Sequence, residues 1–147
     1  MSGVSIGTLV REAAVTLAAA GIDSAGVDAR RLAAHAFNLD RLGLERAWNE
    51  PAPQSAAADF GGIIARRLKR EPVSRIVGAR FFFGRRFAID GAVLDPRPET
   101  ETVVEAALGL LHDRECPRIL EVGVGSGCII VTMLCERPDA TAVATDR

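Results

Sequence analysis

Arg118-Ile119-Leu120-Glu121-Val122-Gly123-Val124-Gly125-Ser126-Gly127-Cys128-Ile129-Ile130-Val131 decides how this chain is read. An apolar run carrying a carboxylate near its end stops at three glycines on alternate positions, and a second apolar run with helical spacing follows at once. The pattern predicts strand, tight turn and helix, the opening unit of a doubly wound α/β sheet. Glycine suits such a turn because the backbone angles are unusual and because a side chain would hold a ligand away from the main chain. The turn also aims unpaired helix N-terminal amides at whatever sits above it.

The dinucleotide fingerprint G-x-G-x-x-G wants a third glycine three places after the second. Cys128 occupies that place, and Gly127 comes one residue early. The string is E-x-G-x-G-x-G instead, which resembles motif I of the class I methyltransferases that bind S-adenosylmethionine. The next strand, Thr141 to Thr145, runs into Asp146, about twenty residues beyond the turn, where an acid can accept hydrogen bonds from both hydroxyls of a ribose. A nucleotide-binding turn of another class, or a turn with no ligand, remains the alternative.

Over the whole chain, the composition is ordinary for a soluble globular protein: 48% hydrophobic, 25% charged and a formal net charge of −1. That total calls for neither a polyanion nor a membrane surface as partner. Three cysteines without a C-x-x-C pair argue against a disulfide framework or a zinc site, and the expected compartment is reducing and cytoplasmic. Cys128 and Cys135 are seven apart, on one helix face, so packing is their expected role. The Ala-rich run from Ala13 to Ile22 follows Glu12 rather than a basic start and is periodic, unlike a signal core. Neither His35 nor His112 has the companions that a catalytic or metal-binding role needs, and no metal site is expected.

Residues 5 to about 70 read as helices. Ser5 caps the first, with Ile6, Leu9, Val10, Ala13, Ala14 and Leu17 as its apolar stripe and Gly21 as its stop. A second begins near Ser24, a short third near Asp40, and a fourth spans Ser55 to Arg70 despite Gly61-Gly62, with Pro72 beyond it. From Val73 the texture turns strand-like, and Arg80 to Gly91 predicts a β-hairpin around Gly84. Phe81, Phe82 and Phe83 read first as a local core; one of them lining a pocket is the alternative. Arg66, Arg67, Lys69, Arg70, Arg75, Arg80, Arg85 and Arg86 stand against the single acid Glu71. A solvated face and charged strand edges are favoured over a contact surface for RNA or an acidic partner.

Pro96-Arg97-Pro98-Glu99-Thr100-Glu101 is a stiff, charged approach to an amphipathic helix whose expected buried stripe is Val103, Val104, Ala107, Leu108 and Leu111. Such a corner suits the mouth of a site. Taken with the glycine turn, this string resembles the release-factor glutamine methyltransferases, whose usual strings are P-R-P-D-T-E and D-L-G-T-G-S-G. Glu71-Pro72-Val73 and Gly78 to Phe83 resemble that family's linker, and the helical start resembles its N-terminal bundle.

The resemblance implies transfer of a methyl group from S-adenosylmethionine to the glutamine amide of the Gly-Gly-Gln loop of peptide-chain release factors. Carried over by position, Gly123, Val124, Gly125, Ser126 and Gly127 hold the cofactor, and Asp146 holds its ribose. Glu121 braces the turn or faces the cofactor's ammonium. Arg97, Pro98, Glu99, Thr100 and Glu101 border the pocket. The implied division is a substrate-docking bundle over 1–72, a hairpin linker over 73–95 and an incomplete Rossmann-like cofactor domain over 96–147. No catalytic residue is expected in this chain. The family's Asn-Pro-Pro-Tyr string is not among residues 1–147 and is expected beyond Arg147, so an N-terminal fragment is the expectation. A methyltransferase acting on another protein or on nucleic-acid adenine, and a non-catalytic binding module, are the alternatives.

Overall fold

A computed structural model describes residues 3–146. The chain forms two compact units, the first ending at Val77 and the second beginning at Gly78.

Five helices make up most of the first unit: α1 (Ile6–Ala19), α2 (Ala25–Ala36), α3 (Arg41–Arg46), α4 (Gln54–Leu68) and α5 (Val73–Val77). Ser5 accepts a hydrogen bond from the Thr8 amide at 3.2 Å, and Asp40 accepts one from Gly43 at 2.6 Å, so α1 and α3 start at side-chain caps. Gly21 takes a positive φ of 71° where α1 ends, as a left-handed stop requires. Val10, Leu17, Ala29, Leu32, Leu44, Phe60 and Ile64 fill the core. One ion pair is buried among them: Arg67 Nε donates to Asp28 at 2.9 Å, and the Ser24 hydroxyl donates to the same carboxylate oxygen.

The strand-like texture at Val73 gives way to helix. Arg75 and Ile76 both donate to the Pro72 carbonyl, and Ile76 is buried in the bundle core with Val73 and Val77 against it. Burying Ile76 outweighs the weak strand preference of a five-residue segment that holds three β-branched side chains, Val73, Ile76 and Val77.

The second unit opens with an antiparallel hairpin, β1 (Ala79–Phe82) and β2 (Arg85–Ala88), followed by a 3-10 turn (Pro98–Thr100) and α6 (Glu101–Leu110). Strand β3 (Arg118–Val122), helix α7 (Cys128–Glu136) and strand β4 (Thr141–Thr145) complete it. β3 and β4 pair in parallel, Arg118 opposite Thr141 through Val122 opposite Thr145, so α7 is the crossover of a β-α-β unit. The core is Phe82, Val104, Cys128 and Met133, with Phe83, Phe87, Leu108 and Ile119 packed against it.

Three expectations change here. Phe82 is core, crossing Phe87 edge-on at 6.2 Å between ring centroids, whereas Phe81 is exposed. On α6 only Val104 is fully buried, and Val103 faces outward. Cys128 is buried but Cys135 is exposed: seven residues span nearly two helical turns, and beyond Met133 the end of α7 leaves the core. One face of the parallel pair is also open, with Leu120, Val122 and Val143 all exposed.

Candidate cofactor-binding site

The glycine turn lies between the end of β3 and the start of α7. Gly123, Gly125 and Gly127 all take positive φ, at 79°, 50° and 74°. That backbone explains glycine on alternate positions, since an L side chain strains in the left-handed region. No atom lies within 4 Å of where a Cβ at Gly123 or Gly125 would stand. The space above these two residues is open, and glycine keeps it so.

Two carboxylates close on the turn. Glu121 accepts from the amide of Ile130 in the first turn of α7, at 2.9 Å. This satisfies one of the donors a helix start leaves over. Burial holds the Glu121 carboxyl above its ordinary range, with the Ile130 hydrogen bond pulling the other way. Asp146, just past β4, accepts from the Gly125 amide at 2.7 Å. The Thr145 carbonyl takes the amides of Gly123 and Val124, and Gly127 donates to the Val124 carbonyl at 2.8 Å. The turn is therefore built from β3, α7 and the end of β4 together.

The Arg97–Glu101 corner makes its bonds elsewhere. Arg97, Pro98 and Glu99 are exposed and Thr100 is partly buried, its amide bonded to the Arg97 carbonyl. Glu101 accepts from the amide of Phe83 in the hairpin turn, at 2.8 Å. No side chain of this corner is hydrogen-bonded to Glu121–Gly127 among the described residues. A recess lined by Arg118, Ile119, Leu120, Thr141, Ala142 and Val143 sits at the opposite, N-terminal halves of the strands and takes no part in the turn.

Sequence reading passed over Arg137 and Asp139. Arg137 follows α7 and donates to the Leu111 and Arg114 carbonyls beyond α6 and to Asp139, which also takes the Cys116 amide at 3.0 Å. Arg137 lowers the Asp139 carboxyl to about 2. These bonds fix the segments that lead into β3 and β4. The Arg-Pro-Asp spacing after an apolar helix was the available signal.

Five of the eight clustered basic residues have partners within their own unit. Arg66 pairs with Glu71, Arg67 with Asp28, Arg80 with Asp95 and Arg85 with Glu136. Arg70 donates to the Ala20 and Gly21 carbonyls at the end of α1. Among the described residues no group of three or more His, Cys, Asp or Glu side chains is placed to hold a metal ion, and no helix is long and apolar enough to cross a membrane.

The sequence model of the PrmC N-terminal domain matches residues 8–78, a stretch that runs from within α1 to the end of the helical unit. A release factor glutamine methyltransferase of Cereibacter sphaeroides is 50% identical over 137 residues, 93% of this chain and 48% of the relative. The chain belongs to the release factor glutamine methyltransferase family. Proteins of the same name from Burkholderia pseudomallei and Rhodospirillum rubrum are 43% and 40% identical, over 92% and 99% of this chain and 47% and 44% of their own lengths. The chain thus spans about half the length of the curated relatives it matches.

Proposed function

We propose that the turn from Gly123 to Gly127 binds S-adenosylmethionine, and that the protein transfers its methyl group to the side-chain amide of the glutamine in the Gly-Gly-Gln motif of peptide-chain release factors. One observation carries the reading: Glu121 and Asp146 brace a glycine turn whose Gly123 and Gly125 face open space. The residues present fit such a cofactor. Asp146 offers carboxylate oxygens for ribose hydroxyls, and the side-chain-free turn lets the main chain approach the ligand. In this reading the parallel pair and its crossover helix are the start of a Rossmann-like sheet.

Bound there, the cofactor supplies an electrophilic sulfonium methyl. The chain's own contribution is positional. Glu121 fixes the first turn of α7, the side-chain-free turn lets the adenosyl group lie close to the main chain with Asp146 beside it, and Arg97 to Thr100 border the pocket. In-line attack makes the rate depend on such orientation. A glutamine amide nitrogen is a poor nucleophile, since its lone pair is delocalised, and needs acceptors on its hydrogens. Residues 1–147 hold no Asn-Pro-Pro-Tyr string to provide them, so this chain alone binds the cofactor without turning it over.

The helical unit is the proposed docking element for the release factor, and the site of action is the cytoplasm, where translation ends. A protein partner is preferred to RNA because most of the clustered arginines are already paired. Calorimetry with S-adenosylhomocysteine and with NAD tests the cofactor: uptake of the first and not the second is expected, and the reverse overturns the reading. Labelled S-adenosylmethionine with a release factor tests the second half, and robust turnover by residues 1–147 would refute it.

A further inference from the structure

The turn of the hairpin is held in an unfavourable backbone. Phe82 and Arg85 face each other across the strands, so Phe83 and Gly84 are the two central residues, with φ of 49° and 72°. Positive φ at both is the backbone of a type I′ turn, which asparagine-glycine adopts readily and an aromatic residue does not. Side chains hold Phe83 from both of its polar groups. Its amide donates to Glu101 at 2.8 Å, and its carbonyl accepts from Arg85 at 3.2 Å. Arg85 in turn reaches Glu136 at the end of α7, at 2.7 Å.

Glu101 is also the second of two fastenings on one strap. Asp95 pairs with Arg80 of β1 at 3.7 Å, and Glu101 holds the turn between β1 and β2. The segment between them carries buried Pro96 and exposed Arg97. Each end of the Pro96–Thr100 strap is therefore tied to the hairpin. Glu99, two residues earlier and equally able to favour a helix start, is exposed.

We infer that Glu101 is a positioning residue: its carboxylate holds the Phe83-Gly84 turn in its strained left-handed backbone, and the turn held in that shape sets the strap that borders the cofactor pocket. The clamp stands on geometry alone, while its consequence for the cofactor rests on the function proposed above. Were Glu101 a pocket residue touching the ligand, relieving the strain of the turn would do nothing for a variant that lacks it.

Residues 1–147 are tested as wild type, Glu101→Ala, Glu101→Gln and Glu101→Ala with Phe83→Asn. Amide hydrogen exchange at residue 83 and calorimetry with S-adenosylhomocysteine are the two readouts. In Glu101→Ala the Phe83 amide is expected to exchange at least tenfold faster, and affinity to fall by a comparable factor. Adding Phe83→Asn, which accepts positive φ unaided, is expected to restore affinity. Unchanged exchange in Glu101→Ala overturns the clamp. Affinity that falls and is not restored by Phe83→Asn overturns the positioning role in favour of direct contact. If Glu101→Ala does not fold, Glu101→Gln decides, because a neutral acceptor holds the amide less firmly: several-fold faster exchange supports the clamp and unchanged exchange refutes it. A wild type that ignores S-adenosylhomocysteine defeats the cofactor reading, and the exchange arm still decides the clamp.

Discussion

Glu121 in β3 and Ile130 in α7 are joined by a carboxylate-to-amide hydrogen bond of 2.9 Å, so one acid fixes the helix start to the strand that precedes it. Burial raises the Glu121 carboxyl above the ordinary 4.5. A carboxyl raised in the folded state favours folding when protonated. Its contribution is complete below the unfolded value and is lost as pH climbs through the folded one. Glu121→Gln keeps an oxygen for Ile130 and removes the charge. Thermal unfolding is therefore expected to show the variant at least as stable as wild type at pH 7, with the two converging below about pH 4. Asp139 gives the opposite limb: its contribution is present above 3.8 and fades as pH falls toward about 2, in both proteins. A variant less stable at pH 7 and equal at pH 4 would contradict the burial argument.

Glycines of this chain divide by backbone, and substitution should separate them. Gly61 and Gly62 lie inside α4, exposed, with no atom within 4 Å of an added Cβ. Alanine at either is expected to stabilise by about 0.5–1 kcal/mol in denaturant unfolding. Gly125 has equal room but a φ of 50°. Gly125→Val is expected to cost about 1–2 kcal/mol through the left-handed backbone. It should also cut S-adenosylhomocysteine affinity at least tenfold, because the side chain fills the space above the turn, an estimate resting on about 1.4 kcal/mol of lost contact. Undiminished uptake by a folded Gly125→Val protein would sink the site.

How much of this was legible beforehand follows from how local each signal is. Ser5, Asp40, Gly21 and the glycine turn are decided within four residues by capping and backbone sterics, and they sit where the sequence put them. The Val73–Val77 helix was not legible, because burial of Ile76 among distant residues overrode a local strand preference. Val103 failed because it lies about 100° round α6 from the buried Val104, and Cys135 because the core does not follow its face of α7 that far. Periodicity says that a helix has an apolar face without saying how far the core extends along it. Glu101 carried two local readings, helix-start acid and pocket rim, and the bond it makes lies eighteen residues back, at an amide no motif marks.

Gly7 is an internal control on packing. A Cβ built there would stand 2.4 Å from the Trp48 indole nitrogen, closer than real side chains approach. Moving Trp48 aside would disturb its contact with the Arg30 guanidinium, which lies 4.7 Å from its ring centroid and pairs with Glu45. Gly7→Ala is expected to destabilise the helical unit by about 1–3 kcal/mol despite alanine's better helix propensity. Chemical denaturation followed by Trp48 fluorescence reads this directly, and a neutral or stabilising result would mean that the indole moves at little cost.

The Asp28–Arg67 pair offers the sharpest separation between an interaction's presence and its net worth. Both side chains are largely buried, at 7% and 16% exposure, and Arg67 also donates to the Glu71 carbonyl at 3.2 Å. Taking two charges out of water costs nearly what their attraction returns, so such a pair need contribute little net stability. Removing one partner strands the other. Arg67→Met leaves an uncompensated carboxylate beside the Ser24 hydroxyl, and Asp28→Leu leaves a buried guanidinium. Each single variant is expected to lose about 3–5 kcal/mol. The double variant Asp28→Leu with Arg67→Met removes both charges and is expected to recover most of that loss, lying within about 1–2 kcal/mol of wild type. Urea unfolding of all four proteins closes the cycle. Single variants whose costs simply add in the double would show that each side chain acts through its own packing and that the pairing between α2 and α4 is incidental.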